Sequence, residues 1–531
     1  MSWPAADRPR LVSVDTPRWV RDAVFYQIFP DRFASSARVP KPGPLEPWDE
    51  PPTRHGFKGG DLLGIAEHLG DLAELGVTAL YLTPIFASAS NHRYHTDDYE
   101  RVDPLLGGDD ALRELIDACH SRGMRVVLDG VFNHSGRGFL PFHHILENGL
   151  GSPYLGWFYL DMQRLRDGRP LNAYPTTGDH DEVRRVAAAE GLPAGMASER
   201  VLGYRGWWDL PALPKLRVDD PTARAYLLGI AERWIRLGAD GWRLDVPEEI
   251  EAGYWREFRT RVRAANPEAY IVGEIWRVKP EWLSGDTFDA LMDYPLAEAL
   301  VGYAGGSHID WSVVHEQDQY RDTVRAMDGA EFGAELERLL SAYDPDVTAV
   351  QLNLLGSHDT SRFVTMCGGD VASYRLATVV QMTLPGAPCI YYGDEVGMQG
   401  RGDPGSRGAF PWERSRWDSE LRAFVRGAIA LRRDHAVLRH GEFRLLGSSG
   451  PAMAYLRSDE SDALVVALNP GEDAVSLSLD LPELAGRRAD LVHPDGWPAL
   501  PSDSVGVVDG RLAVRLAARS ASVVRLVAES G

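Results

Sequence analysis

Along most of the chain, short apolar runs alternate with longer segments in which apolar residues recur every three or four positions. The first pattern suits a buried strand and the second an amphipathic helix. Eight runs read as strands: AVFYQIF (23–29), VTALYLT (77–83), MRVVLDG (124–130), ADGWRLD (239–245), AYIVGEI (269–275), FDALMDY (288–294), AVQLNLL (349–355) and APCIYYG (387–393). Between them lie helical segments such as DDALRELIDACHSRG and ARAYLLGIAERWIRLG, each running into a glycine suited to a helix C-terminus. Strands separated by crossover helices predict an α/β fold with a parallel sheet. Eight such units predict a closed (β/α)8 TIM barrel over an open doubly wound sheet.

Two regions break the repeat. Residues 131–213, after the third strand, are far too many for a connecting loop and predict an inserted lid domain. After about residue 437 the pattern becomes short alternating runs such as DALVVALN, AVSLSLDL and ASVVRLVA, the signature of an antiparallel β-sandwich. The predicted division is 1–130 with 214–436 for the barrel, 131–213 for the lid and 437–531 for the C-terminal β-sandwich. The segment PKPGPLEPWDEPP (40–52) is proline-rich enough to be stiff and extended.

Composition narrows the partners. A net charge of −21 disfavours nucleic acid and anionic membrane surfaces, which select clustered Lys and Arg. No run has the length of a membrane span. The N-terminus, MSWPAADRPRLVSVDTPRWV, lacks the continuous apolar core of a secretory signal. Cys119, Cys367 and Cys389 are odd in number and widely spaced, which reads as buried free thiols in a reducing compartment. These features predict a soluble, cytoplasmic protein acting on a neutral or small substrate, and they leave its oligomeric state open.

In a barrel of this kind, chemistry collects at the C-terminal ends of the strands. There the sequence places Asp129, then Arg243 and Asp245, then Glu274, then His358 and Asp359. Residues two apart in a strand share a face, so Arg243 and Asp245 point the same way, and the guanidinium favours the ionised carboxylate. An ionised carboxylate beside one that can be kept protonated is what glycoside hydrolysis requires. A single acid here would read as a salt bridge; three at successive strand ends, with an arginine and histidines, point to catalysis.

DGVFNH (129–134), GWRLDVPEE (241–249), GEIW (273–276) and SHD (357–359), in that order, resemble the four signature segments of the α-amylase family of glycoside hydrolases. FKGGDLLGIAEHLGDLAELGVTALYLTPIFASASNHRYHTDDY (57–99) and LPALPKL (210–216) are similar to its neopullulanase, cyclomaltodextrinase and maltogenic amylase branch. The resemblance implies a retaining hydrolase of α-1,4 bonds in maltooligosaccharides and cyclodextrins, with pullulan as a further substrate and some transglycosylation left open. An α-glucosidase, an oligo-1,6-glucosidase or a trehalose-forming transglycosylase is the alternative on the same barrel; a non-catalytic, transporter-associated relative would lack these carboxylates.

It further implies Asp245 as nucleophile, Glu274 as general acid and base, and Asp359 as the group gripping ring hydroxyls. Arg243 would hold Asp245 ionised. His134 and His358 would bond the same sugar, Tyr94 would floor it, and His92 would stand beside Tyr94. Asp129 enters the substrate-binding set as a support for Arg243 or a neighbour. Trp276, Lys215, Glu249 and Arg362 complete that set. For Trp207 and Trp208, packing of the lid is preferred to sugar stacking, and for Asp394 and Glu395 a structural role is preferred to catalysis. Gly241 is expected to leave space in the barrel interior and Pro247 to end its strand.

Some features depart from that branch. Its members carry a β-rich N-terminal domain, whereas here the first predicted strand begins near residue 24. Residues 165–206 read as an insertion with a helix of its own, and Glu248 stands where relatives have Asn. The resemblance implies no required cofactor. Where relatives carry a calcium-binding cluster after PDRF, only Gly60 and Asp61 remain as plausible ligands, so no metal site is expected.

Overall fold

The computed structural model describes residues 14–482, 487–498, 504–508 and 511–528. Residues 1–13 of the N-terminal segment discussed above, and parts of the predicted sandwich, lie outside the described residues.

All eight predicted barrel strands form, each somewhat shorter than its apolar run. They are β1 (Phe25–Ile28), β2 (Ala79–Leu82), β3 (Arg125–Gly130), β4 (Gly241–Leu244), β5 (Tyr270–Gly273), β6 (Ala290–Leu291), β7 (Leu352–Leu354) and β8 (Ala387–Tyr391). Every residue of β1, β2, β4, β5 and β8 is buried, which is why these strands read as continuous apolar runs and not as alternation. The sheet order is β6-β5-β4-β3-β2-β1-β8-β7, and a parallel bridge from Met292 to Leu352 joins its ends into a (β/α)8 barrel. The helices fall where the three-to-four-residue periodicity put them. Gly108–His120 buries Leu112, Leu115, Ile116 and Cys119 on one face; Pro221–Leu237 starts on an Asp220 cap and ends at Gly238, whose φ of 126° suits glycine.

The chain falls into two compact units, residues 1–27, 70–79 and 275–531 in one and residues 28–69 and 80–274 in the other. The first holds β6 to β8 and the C-terminal strands. There Glu442–Ser449, Ala452–Ser458, Ala463–Asn469, Ser520–Ala528 and Arg487–Val492 form one antiparallel sheet, and Val475–Leu479, Arg511–Leu516 and Val505–Val508 a second. Their shared core takes every second residue of several strands, as in Ala452, Ala454 and Leu456 or Leu512, Val514 and Leu516. This period of two is the alternation seen in the sequence.

The second unit holds β3 to β5 and residues 131–213. Within the 165–206 stretch, Thr177–Glu190 and Met196–Leu202 are helical, the former opened by a reciprocal Thr176–Asp179 capping box. Cys119, Cys367 and Cys389 are free and buried. Among the described residues, no helix is long and apolar enough to cross a membrane.

Candidate active site

Strand register builds the first part of the site, all of it in the second unit. In the parallel ladder Asp129 of β3 lies beside Arg243 of β4. Asp245 and Glu274 each follow the last residue of their strand, yet their N–H groups still donate into the ladder, to Gly130 O (3.1 Å) and Leu244 O (2.9 Å). Both acids are therefore fixed by backbone.

Arg243 ties this group together. Its Nη1 lies 3.0 Å from both Asp129 oxygens and 3.1 Å from Asp245 Oδ1, while Nη2 lies 2.9 Å from Glu274 Oε2. The Arg243 side chain is 0% exposed, so this is a buried fork serving three carboxylates. Burial alone would lower the Arg243 pKa; Asp129 and Glu274 outweigh it and hold the guanidinium well above its ordinary value. The cation is permanent. Burial pushes the Asp129 carboxyl up from its ordinary value, opposed by Arg243 and by the Tyr81 and Tyr94 hydroxyls that donate to Oδ2 at 2.8 and 2.9 Å.

Two expectations are corrected here. Asp129, placed in the substrate-binding set, has a fully buried side chain engaged by Arg243, Tyr81 and Tyr94, so it supports the arginine and offers a sugar nothing. Gly241 does not spare interior space. A Cβ there would sit 2.2 Å from Tyr270 O on the neighbouring strand, so glycine is needed for β4 and β5 to approach at the register that aligns the site.

Around this core, Tyr94 is half-buried with its hydroxyl held on Asp129, and its N–H donates to His92 Nδ1 at 3.2 Å. His134 is buried, with its ring stacked 5.0 Å from that of Trp207. Burial, with lesser effects from His95 and Lys215, pushes His134 down to about 3, so the imidazole is neutral at working pH. Lys215 Nζ pairs with Glu249 Oε2 at 2.7 Å and also donates to Glu249 O. Val246, directly after Asp245, is left-handed at φ 36°, and its N–H meets Glu274 Oε2 at 3.3 Å.

The first unit carries the remaining residues. His358 Nδ1 meets the Gln27 amide at 2.9 Å, and Nε2 lies 3.1 Å from Asp359 Oδ2. An amide donating to Nδ1 leaves the proton on Nε2, facing the carboxylate. Arg407 holds the other side, donating to His358 O (2.8 Å) and Asp359 Oδ1 (3.2 Å) while pairing with Asp403 at 3.0 Å. Gln317 donates to Asp359 O. Asp359 is thus oriented from several directions, with its side chain still 30% exposed. Trp276 stacks on Tyr294 at 3.6 Å, and the Tyr294 hydroxyl reaches Ser357 Oγ.

Arg362 is a further correction. Its side chain is 0% exposed, pairs with Asp394 at 2.6 Å, donates to Tyr392 O and lies over the Tyr391 ring, so it braces the segment after β8 and does not face substrate. Asp394 and Glu395 are buried, and burial pushes them up to about 6 and about 7.

Tyr81, Gln27 and Arg407 were not singled out in the sequence. Gln27 had a signal, as a polar residue inside an apolar run. Tyr81 sits in a strand buried on both faces and Arg407 in an irregular loop, where periodicity marks nothing. For calcium, the donors do not fit: the buried Asp61 carboxylate accepts from Gly64 N and Ser36 N and holds the Lys41 ammonium at 3.0 Å, so a cation already stands against it.

The geometry agrees with the comparisons. The α-amylase catalytic-domain family matches residues 27–441. A cyclomaltodextrinase from Bacillus sp is 41% identical over 457 residues, covering 85% of this chain and 73% of that protein. Neopullulanase 2 from Thermoactinomyces vulgaris is 38% identical, covering 89% and 73%. Among solved structures, the native Nostoc punctiforme debranching enzyme superposes with a TM-score of 0.83 at 42% identity, covering 97% of this chain and 100% of that one. With signature carboxylates at successive strand ends of an eight-stranded barrel, the chain belongs to the α-amylase family of glycoside hydrolases.

Proposed function

We propose that this enzyme is a retaining α-glycoside hydrolase cleaving α-1,4 bonds of maltooligosaccharides and cyclodextrins. The observation that carries the reading is the Arg243 fork, which ties Asp245 and Glu274, at adjacent strand ends, to one buried cation. Asp245 attacks the anomeric carbon as Glu274 protonates the leaving oxygen, breaking the glycosidic bond and forming a glycosyl ester. Glu274 then takes a proton from water as the water oxygen bonds to the anomeric carbon and the bond to Asp245 breaks, freeing the carboxylate and releasing the sugar with its configuration retained. One cation facing three carboxylates would leave two negative charges buried, so a proton held within the cluster lowers the cost. Asp359, His358 and His134 are assigned to sugar hydroxyls, Tyr94 to a ring face, and Trp276, Lys215 and Glu249 to the leaving-group side. No step is assigned to a metal, and the free buried thiols suit a cytoplasmic setting.

Product chromatography from maltotriose, β-cyclodextrin, pullulan and starch, with the product anomer followed by NMR, tests the reading. Short and cyclic substrates should be turned over faster than starch, with retention; an inverted product contradicts the mechanism, and faster turnover of starch contradicts the substrate preference. The likeness to a debranching enzyme favours cleavage of α-1,6 branch points as a second reading, which the pullulan products separate.

A further inference from the structure

Within the second unit, three aromatic rings form a stair from the buried site to the surface. The His134 ring stacks on Trp207 at 5.0 Å and 10°, and Trp207 lies 5.3 Å from Trp208. The inner step is buried and the outer one is not: Trp208 is 59% exposed, and Leu210 two residues on is 46% exposed.

The backbone under the outer step is unusual. Trp208 has φ 50° and ψ 33°, and Asp209 follows with φ 59°, two consecutive non-glycine residues in the left-handed region. Such conformations persist only where the surroundings impose them. Here they do: Asp209 Oδ1 accepts from Ser198 N at 2.6 Å, Ser198 Oγ accepts from Gly206 N at 2.9 Å, and the Tyr204 hydroxyl donates to Pro211 O at 2.7 Å. Ser198 belongs to the helix Met196–Leu202, inside the stretch read from the sequence as an insertion. That helix therefore fixes the turn that displays Trp208.

Packing of the lid accounts for Trp207, whose ring lies flat against that of the buried His134. It does not account for Trp208, which combines a disfavoured backbone with an exposed apolar ring. A flat, rigid indole face in open solvent matches the C–H face of a pyranose ring.

We propose that Trp208 is a stacking platform for a glucosyl residue of the substrate lying outward from the ring being cleaved, and that it sets the preference for longer chains. This rests on the α-glucan reading above. Trp208→Gly removes the ring and relieves the positive φ, so it should fold at least as well as the wild type, while Trp208→Tyr restores a ring. The ratio of kcat/KM for maltoheptaose to that for maltotriose should fall about tenfold in Trp208→Gly and recover in Trp208→Tyr. In parallel, maltoheptaose is titrated into Asp245→Asn, with and without Trp208→Gly, by calorimetry. Weaker binding in the double variant supports the platform; equal binding, or an unchanged kcat/KM ratio, overturns it. Wild-type protein that turns over neither sugar overturns the hydrolase reading, and the titration still decides the platform.

Discussion

Replacing Arg243 by lysine keeps the charge and removes the fork. In the wild type, Nη1 serves Asp129 and Asp245 while Nη2 serves Glu274, at 3.0, 3.1 and 2.9 Å. A lysine ammonium is a single point at the end of a stem one atom shorter, so it can stay on Asp129 but cannot also hold the two acids beyond the strand ends. The charge-assisted hydrogen bond to Asp245, worth about 1.5–3 kcal/mol where burial excludes water, and the 2.9 Å ion-pair contact of Nη2 with Glu274 are lost.

Not all of that reaches the barrier. As Asp245 attacks, its negative charge passes into the new C–O bond, so the hold of Arg243 on it is weaker in the transition state than in the ground state. The Glu274 contact and the lost orientation remain, about 2–4 kcal/mol, or about 30- to 1,000-fold in kcat/KM. Initial rates on maltotriose measure this, with near-ultraviolet circular dichroism as the control for folding. A natively folded Arg243→Lys enzyme within about threefold of wild type would refute the argument, because the fork would then be no better than a buried point charge.

Two further outcomes follow from buried groups near the strand ends. Glu395, hydrogen-bonded to Tyr26 at 2.8 Å, is pushed by burial from 4.5 up to about 7. The folded state keeps a proton that the unfolded chain releases between those values, so stability is lost as pH rises through that window and stays lost above it. Glu395→Gln should therefore exceed the wild type by about 3 kcal/mol at pH 8, with the difference vanishing near pH 4.5; a pH-independent difference in denaturant midpoint rejects this. Gly241→Ala should cost about 1–3 kcal/mol and lower activity, because its Cβ would drive β4 away from Tyr270 O; a variant with wild-type midpoint and rate shows that the strands can separate freely.

The barrel was legible because its strands are buried on both faces, so each left a continuous apolar run, and because the proposed catalytic residues sit where those runs break. What the runs could not show are partners distant in the chain. Arg362 follows SHD closely and reads as a site residue, yet its carboxylate is Asp394, thirty-two positions away, and the pair is wholly buried. Arg407 escaped attention in a loop of glycines and prolines, although it touches both His358 and Asp359. Gly241 was noticed for its own missing side chain, while the reason for it lies in the backbone of Tyr270. Trp207 and Trp208 were read together because they are adjacent, and only burial separates them.

Val246 shows the same limit within one residue. A β-branched side chain favours the extended backbone, so GWRLDVPEEI gives no hint of a left-handed residue after the proposed nucleophile. At φ 36° the conformation costs about 1–3 kcal/mol by itself. It is imposed from both sides. Before it, Asp245 N donates to Gly130 O at 3.1 Å; after it, Glu249 N donates to Val246 O at 3.1 Å, and the Trp255 indole donates to Pro247 O at 2.9 Å. Between these anchors the chain must turn within one residue, and the turn brings the Val246 N–H to Glu274. Local preference carries the strand to Asp245. The adjoining strands and the turn at Pro247 then set the direction in which Asp245 leaves it, which is why the proposed nucleophile could be named from sequence while its geometry could not.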